Sequence, residues 1–361
     1  MEQKDKKDVK KDYVVTDEAV TKSAKPPDDA EMENTKSIGV DIGTSKIVFA
    51  IKDGNKEEFS SQLNAFIAVD YSKFTEGILK QNKINYSKIG NSLIVYGDGA
   101  ETFANIMNTE TRRPMRNGLL NPKETNAIEV IKGILDNLVL PSSIPHYPLC
   151  FSIPDVPKDS KTDIIYHEAI LKRHLDEKGY KAKSINEGLA VVFSELKNEN
   201  FTGFGISAGG GMCNVCLSYL SVPHISFSIN KGGDYIDEAV ASVTSEVNTR
   251  VRDIKENKFD LIRKPRNEIE DAIQVYYDDL IMTLVTSMKE SIVRTSKVPK
   301  DDTPIPIVLS GGTVKPNGFK ERFEIFLKQI DFPLKISEIR IADNPLYSTV
   351  KGTLIAAMYE D

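Results

Sequence analysis

The sequence is poor in the residues that build disulfide frameworks and metal sites. Its 361 residues include three cysteines and four histidines. Cys213 and Cys216 have CxxC spacing, but residues three apart on a strand point to opposite faces, so we predict buried thiols rather than a redox or zinc site. The histidines show no metal-ligand spacing: His146, His167, His174 and His224. Together these features indicate a protein of a reducing, cytoplasmic compartment.

The sequence also lacks an excess of positive charge and long apolar runs. Its 47 Lys and Arg residues against 53 Asp and Glu residues give a net charge of -6, which argues against a binder of duplex nucleic acid. No run approaches the ~20 apolar residues of a membrane span, and no apolar signal core is visible at the N-terminus. The length suffices for two domains, each with its own core.

Residues 1–36 differ in composition from the rest of the chain. They are charged and contain few large apolar side chains. We predict a disordered tail, which is either a tether or regulatory arm or a plain solvated extension. No apolar membrane-binding helix is visible in it.

The most informative stretch runs from Thr202 to Val215 and reads TGFGISAGGGMCNV. It predicts two strands joined by the glycines Gly209, Gly210 and Gly211. A glycine turn of this kind lets a ligand approach the backbone, and its free N–H groups form a concavity suited to a phosphate. The alternative is a plain glycine-rich hairpin turn.

A second turn of the same kind favours the phosphate-binding interpretation. Ser37 to Ala50 reads SIGVDIGTSKIVFA, in which Asp41 ends a strand and Gly43, Thr44 and Ser45 form the turn. Two such loops far apart in one chain suggest two related half-molecules that hold one nucleotide from both sides. A third glycine turn, Ser310 to Thr313, follows an apolar strand.

Strands and helices alternate along the chain, which predicts an α/β fold with two similar lobes. We expect a helix from Asn121 to about Leu138 and one long amphipathic helix from Gly232 through Val251. Further helices are predicted from about Asn267 to Thr295 and from about Tyr347 to Tyr359.

Four motifs, in this order, resemble the actin-like ATPase superfamily, and most closely the bacterial actins MreB and MamK. They are GVDIGTS at Gly39, VYGDGAETFANIM at Val95 followed by RPMRNGLL, SINEGLAVV at Ser184, and GGDYIDEAV at Gly232. The resemblance covers about Ser37 to Glu360. It implies a two-lobed, duplicated ribonuclease H-like fold with a nucleotide cleft between the lobes. Lobe I would span 37–185 and lobe II 186–345, with a C-terminal helix in 346–361 that returns to lobe I.

The resemblance also implies roles for individual residues. Asp41 would hold the hydration shell of Mg²⁺, and Glu187 would position the attacking water. The phosphates of ATP or ADP would be held by Gly43, Thr44 and Ser45 in the first loop and by Gly209, Gly210 and Gly211 in the second. The ribose, base and adenosine contacts would come from Gly232, Gly233, Asp234, Lys255, Glu256, Gly311, Gly312 and Thr313. Gly352 matches a close helix contact between the lobes, or is plain packing.

Two departures from the family pattern bear on activity. The second loop normally reads D-x-G-x-G-T-x-D, but here Ser207 and Asn214 stand at the acidic positions and Met212 at the Thr. We therefore expect weaker holding of Mg²⁺ and slow hydrolysis of ATP. In addition, a β-hairpin that follows Lys255 and Glu256 in bacterial actins is predicted to be shortened or absent.

The function implied by the resemblance is that of a cytoplasmic, cytoskeletal protein that binds ATP and polymerises. Its partners would be further copies of itself and filament- or organelle-associated proteins, and the filament would organise magnetosomes or another intracellular structure. The alternatives are a non-hydrolysing actin-like scaffold or adaptor and, third, a small-molecule kinase of the same superfamily. The catalytic Asp base and sugar-binding insertions of such kinases are not visible.

Overall fold

A computed structural model describes residues 37–54, 56–107, 109–158, 164–295 and 303–359. The predicted tail, 1–36, lies outside the described residues. The strands are β1 (Ser37–Ile42), β2 (Lys46–Asp53), β3 (Lys56–Leu63), β4 (Phe66–Asp70), β5 (Tyr86–Ile89), β6 (Ser92–Tyr96), β7 (Met115–Arg116), β8 (Leu119–Leu120), β9 (Tyr147–Ile153), β10 (Tyr180–Asn186), β11 (Gly203–Ala208), β12 (Cys213–Tyr219), β13 (Val222–Ile229), β14 (Ile305–Ser310) and β15 (Ile336–Ile341).

The helices, numbered along the described chain, alternate with these strands. They are α1 (Lys73–Gln81), α2 (Asp98–Ile106), α3 (Ala127–Leu138), α4 (Ile164–Glu177), α5 (Glu187–Glu195), α6 (Gly233–Thr244), α7 (Asn248–Asn257), α8 (Glu268–Arg294), α9 (Phe319–Gln329) and α10 (Ser348–Met358), with a short 3₁₀ helix at Gly312–Val314. The predicted α/β class is confirmed.

Two five-stranded sheets of matching topology form the centres of two lobes. One has the order β10-β9-β1-β2-β3 and the other β13-β12-β11-β14-β15. In each sheet a strand before a glycine turn pairs antiparallel with the next strand and parallel with a later one. The central strands are buried on both faces, as for Val40 in β1 and Phe204 in β11, which explains their nearly continuous apolar sequences. The predicted duplication of a two-lobed fold is therefore confirmed.

The longest helix, α8, closes the core of the second lobe. The Asn267 side chain caps its start by accepting a hydrogen bond from the Glu270 N–H over 3.0 Å. One face carries Ile273, Leu280 and Leu284, which are fully buried against β11–β13 and their neighbours. This helix agrees closely with its predicted range.

Two helix predictions need correction. The long helix expected from Gly232 through Val251 is two helices, α6 and α7, because Ser245 takes the left-handed conformation with φ 56°. Asn121 does not start a helix. Its side chain accepts from the Lys123 N–H over 3.1 Å and forms a local turn, and α3 begins at Ala127.

Lobe I carries a small additional sheet, β4-β6-β5, packed with α1 and α2. The second lobe has no equivalent insertion between α7 and α8. The described stretch 258–267 contains no strand, and its single bridge joins Asp260 to Asn317. Between the lobes, α5 and α10 pack on each other at Ala190 and Gly352.

None of the helices within the described ranges is both long and apolar enough to cross a membrane.

Candidate functional site

A cleft of about 450 Å³ lies between the two sheets, at the glycine turns that follow β1 and β11. Every residue predicted for the site lines this cleft except Gly232. Those it brings together are Asp41, Gly43, Thr44, Ser45, Glu187, Gly209, Gly210, Gly211, Gly233, Asp234, Lys255, Glu256, Gly311, Gly312 and Thr313.

The two glycine turns present unpaired backbone donors. The Gly43 N–H bonds the Lys46 carbonyl and the Gly209 N–H bonds the Met212 carbonyl, which closes each turn. Among the described residues, the N–H groups that follow in each turn have no acceptor: those of Thr44, Ser45, Gly210 and Gly211. Successive free N–H groups at a turn form an anion-binding concavity, so this part of the cleft suits phosphate.

The turns from the two lobes touch each other. A Cβ atom on Gly210 would overlap the Ser45 hydroxyl, and one on Gly211 would overlap the Thr44 hydroxyl. Thr44 is buried and its Oγ1 accepts a hydrogen bond from the Gly118 N–H over 2.9 Å. Glycine is therefore required in the second turn by close approach of the first, and any ligand held there contacts both lobes.

Gly232 lies behind the second turn rather than in the cleft. A Cβ atom there would come within 2.5 Å of the Gly210 carbonyl oxygen. The next two residues bond the same turn, since the Gly233 N–H donates to the Gly209 carbonyl (3.0 Å) and the Asp234 N–H to the Gly210 carbonyl (2.8 Å). The start of α6 thus holds the turn in shape, and these N–H groups are not free for a phosphate.

Two buried carboxyl groups, those of Asp41 and Glu187, line the cleft and interact electrostatically. Asp41, near the end of β1, accepts a hydrogen bond from the Ser152 hydroxyl over 2.6 Å. Glu187 is the first residue of α5, whose start is fixed by the Asn186 side chain accepting from the Gly188 N–H over 2.8 Å. Burial raises the pKa of Asp41 to about 6, and burial together with the nearby Asp41 charge raises the pKa of Glu187 to about 8.

Ser207 and Asn214, the residues that depart from the family pattern, both donate to Glu187. The Ser207 hydroxyl lies 2.9 Å and the Asn214 amide nitrogen 3.0 Å from the same oxygen, Glu187 Oε2. The Asn214 amide oxygen in turn accepts from the Asp155 N–H over 2.9 Å, which joins β12 to the chain after β9 in lobe I. Carboxylates at these positions could not donate, so this chain fixes Glu187 in a way that two acids would not.

Part of the cleft wall combines a buried ion pair with a buried aromatic ring. The Lys255 ammonium lies 2.6 Å from an Asp237 carboxylate oxygen and donates to the Gly233 carbonyl over 2.7 Å. The Thr313 hydroxyl donates to the Gly209 carbonyl over 2.8 Å, which ties the third glycine turn to the second. Tyr277 is fully buried beside them, and in the described residues its hydroxyl has no hydrogen-bond partner. This part of the cleft offers polar groups to a nucleoside.

The donor set fits a magnesium ion that is carried by a nucleotide. No group of three or more His, Cys, Asp or Glu side chains that could hold a metal occurs in the described part of the chain. Mg²⁺ keeps most of its waters and is usually bound through one or two carboxylates and substrate phosphates. Asp41, beside the free N–H groups of the first turn, meets that requirement.

Sequence reasoning missed several cations that line the cleft: Lys46, Arg113, Arg252 and Lys315. Of these, Arg113 makes the most specific contacts. Its Nη1 donates to the Ser45 hydroxyl over 3.0 Å and to an Asp234 carboxylate oxygen over 2.7 Å. Arg113 begins the RPMRNGLL motif, but no local sequence pattern links it to Asp234, which lies 121 positions away.

The two cysteines with CxxC spacing lie in the interior. Cys213 and Cys216 are free and fully buried in β12, and burial raises the pKa of each thiol, for Cys213 to about 12. The prediction of buried thiols is confirmed.

Comparison with known proteins supports the fold. The sequence profile of a family described as Volactin matches residues 36–357. No curated protein matches the sequence. Among solved structures, the MamK double helical filament superposes with a TM-score of 0.68 at 18% identity, covering 90% of this chain and 99% of that chain.

Two further structures give the same result. MreB 5 of Spiroplasma citri bound to AMPPNP has a TM-score of 0.62 at 15% identity, covering 89% of this chain and 95% of that chain. The ethanolamine utilization protein EutJ from Carboxydothermus hydrogenoformans has a TM-score of 0.51 at 18% identity, covering 90% of each chain. These likenesses confirm the actin-like fold expected from the four motifs.

Proposed function

The chain belongs to the Volactin family, and we propose that it is a cytoskeletal, actin-like protein that binds ATP with Mg²⁺ between its lobes and polymerises in the cytoplasm. The observation that carries the proposal is the meeting of the two glycine turns. Unpaired N–H groups from both lobes converge there, next to Asp41 and Glu187.

Different groups in the cleft are proposed to bind the phosphates, the metal ion and the nucleoside. The free N–H groups of Thr44, Ser45, Gly210 and Gly211 would hold phosphate oxygens, and Asp41 would hold Mg²⁺ through its water molecules. The metal ion supplies neutralisation of phosphate charge. The third glycine turn, Gly311 to Thr313, and the Lys255–Glu256 pair hold the nucleoside.

Hydrolysis needs one oriented water molecule on the far side of the phosphate, and we assign this task to Glu187. Its carboxylate orients the water when ionised. Because burial raises its pKa to about 8, much of Glu187 is protonated at neutral pH. With Ser207 and Asn214 in place of acids, less negative charge surrounds the metal ion. Both features support slow hydrolysis.

Polymerisation is supported by likeness to the MamK double helical filament. Because the lobes meet at the phosphate turns, a bound nucleotide contacts both and favours one relative orientation of them. A fixed orientation presents one surface to the next copy, so assembly should depend on the nucleotide. Filament- or organelle-associated proteins, and a role in organising magnetosomes or another intracellular structure, belong to the same proposal.

The test is sedimentation and negative-stain electron microscopy of the purified protein with ATP, ADP or AMPPNP, with phosphate release recorded in parallel. We expect filaments with ATP and AMPPNP and slow release of phosphate. A Gly210→Val variant, whose side chain would overlap Ser45, should bind no nucleotide and form no filaments. Absence of nucleotide binding by the wild-type protein would contradict the proposal.

A second candidate is a non-hydrolysing actin-like scaffold. It is favoured by the same two hydrogen bonds to Glu187 Oε2, since this carboxylate is already engaged by Ser207 and Asn214. Nucleotide binding without any phosphate release, under conditions where AMPPNP and ATP behave alike, would select this function.

A further inference from the structure

Arg113 stands where two clefts between the lobes meet. On one side is the cleft with the glycine turns. On the other is a second cleft of about 370 Å³, lined from lobe I by Arg113 and Arg116 and from lobe II by Asp234 and Glu238. Arg113 and Asp234 border both spaces. Their side chains are each 23% exposed, so the ion pair between them is partly shielded from water.

The Arg113 guanidinium is only partly used. One nitrogen, Nη1, makes both contacts, to Ser45 in lobe I and to Asp234 in lobe II. In the described residues, the N–H groups on Nε and Nη2 have no acceptor. A guanidinium presents its donors in a rigid plane that matches two phosphate oxygens. Ser45 belongs to the first glycine turn, so the unused donors lie beside the predicted phosphate position.

The charges around Asp234 also favour a contact between Arg113 and a phosphate. Asp234 lies 2.7 Å from Arg113 and 3.6 Å from Arg252, so its negative charge is offset by two arginines. A triphosphate entering between the turns adds negative charge next to Ser45. Arg113 can donate to the triphosphate through Nε and Nη2 while its Nη1 stays on Asp234. Arg113 then connects a phosphate held at the first glycine turn, in lobe I, to the start of α6, in lobe II.

We propose that Arg113 is the residue that distinguishes a nucleoside triphosphate from a diphosphate, by donating to the terminal phosphate while remaining paired with Asp234. The proposal rests on the proposed function, because it requires that nucleotide binds between the turns. It assigns to Arg113 a contact with the terminal phosphate that is made while its ion pair with Asp234 in the other lobe is kept.

A matched control lies three residues away. Arg116 also pairs across the lobes with α6, through Glu238 Oε2 at 3.2 Å. Both partners are exposed, at 54% and 55%, and Arg116 does not line the cleft with the glycine turns. Arg116→Gln therefore removes a cross-lobe ion pair without removing a phosphate contact.

The experiment measures equilibrium binding of fluorescent AMPPNP and ADP, with Mg²⁺, to the wild-type protein and to Arg113→Gln and Arg116→Gln. For Arg113→Gln we expect AMPPNP affinity to fall about tenfold or more, the loss of one charge-assisted hydrogen bond, with ADP affinity within about threefold of wild type. For Arg116→Gln both affinities should stay within about threefold of wild type.

Two further variants separate phosphate contact from lobe pairing. Asp234→Asn removes the charge that pairs with Arg113 and should keep the preference for AMPPNP over ADP. Arg113→Lys keeps the ion pair but not the planar donors, and should lower the preference even if Arg113→Gln does not fold. Equal loss of both nucleotides in the Arg113 variants, or unchanged AMPPNP affinity, would overturn the inference. Binding of neither nucleotide by the wild-type protein would instead overturn the proposed function.

Discussion

Ser207 Oγ donates a hydrogen bond to Glu187 Oε2 over 2.9 Å, from a strand of one lobe to the first residue of the helix between the lobes. Asn214 donates to the same oxygen over 3.0 Å. Each donor favours the ionised carboxylate, whereas burial and the Asp41 charge favour the protonated form. The latter effects are larger, so the pKa of Glu187 is raised. The two departures from the family pattern therefore act on the residue proposed to orient water.

The raised pKa values make a prediction about stability and pH. Folded Glu187 and Asp41 retain protons that the unfolded chain releases at its ordinary pKa values of 4.5 and 3.8. Since the folded state binds more protons, the free energy of unfolding should fall as pH rises from about 4 to about 8, the raised pKa of Glu187. Thermal melts of the nucleotide-free protein between about pH 6 and about pH 8 measure this.

Glu187→Gln is the variant that tests the cause. Glutamine cannot ionise and its amide oxygen can still accept from Ser207 and Asn214, so the decline above about pH 6 should become shallower. Glu238→Gln, a change at an exposed carboxylate, should leave the slope as in wild type. A wild-type melting temperature that increases over this range would contradict the buried pair of carboxyl groups.

Restoring the acid at position 207 should make stability depend on magnesium. Ser207 is 4% exposed and bonds Glu187, so Ser207→Asp places two buried carboxylates together and should cost about 3 kcal/mol without metal. With Mg²⁺ and ADP, the new carboxylate can hold a metal-bound water, and the loss should shrink. Chemical denaturation with and without Mg²⁺ and ADP measures both effects.

Ser207→Ala is the control for this prediction. It removes the donor to Glu187 and adds no charge, so it should cost about 1–2 kcal/mol with little change in the response to Mg²⁺. If Ser207→Asp and Ser207→Ala respond equally to Mg²⁺ and ADP, position 207 does not face the metal.

The parts of the site that depend on residues close together in the sequence were predictable, and the contacts between residues far apart in the sequence were not. The turns around Gly43 and Gly209 are local patterns of strand, glycine and strand, and their structure was predictable. The contact of Arg113 with Asp234 joins residues 121 positions apart, and only the folded chain brings them together. The direction in which Asn214 points was likewise not predictable, because it depends on Asp155 in the other lobe.

The break between α6 and α7 was missed for a different reason. Apolar residues continue at helical spacing through Val243, Val247 and Val251, which favoured a single helix. In the structure Val243 and Val247 are 56% and 55% exposed, and Val251 is fully buried in a new helix. Spacing alone could not show that these valines belong to two helices with different buried faces.

Removal of the Tyr277 hydroxyl should increase the stability of the protein. Its ring packs against Phe259 and Phe319, at centroid distances of 6.0 and 6.1 Å, and its buried hydroxyl has no partner in the described residues. Tyr277→Phe keeps the ring and removes the unpaired group, so the nucleotide-free protein should be stabilised by about 1 kcal/mol. Tyr235→Phe, which removes a hydroxyl bonded to Asp279, should be destabilising. A loss of stability in Tyr277→Phe would show that its hydroxyl is bonded, for example to a buried water.

At Gly352, by contrast, we expect one added methyl group to lower the stability of the protein. It lies in α10, and a Cβ atom there would overlap the carbonyl group of Ala190 in α5. The helices cannot separate without disturbing both lobes, so Gly352→Ala should lower the free energy of unfolding by about 1–3 kcal/mol or more.

Gly77 in α1 provides the matched control, because no atom lies within 4 Å of its Cβ position. Gly77→Ala should stabilise by about 0.5–1 kcal/mol through helix propensity. Urea denaturation of both variants measures the difference, and equal effects would mean that α5 and α10 are not packed as closely as the structure shows.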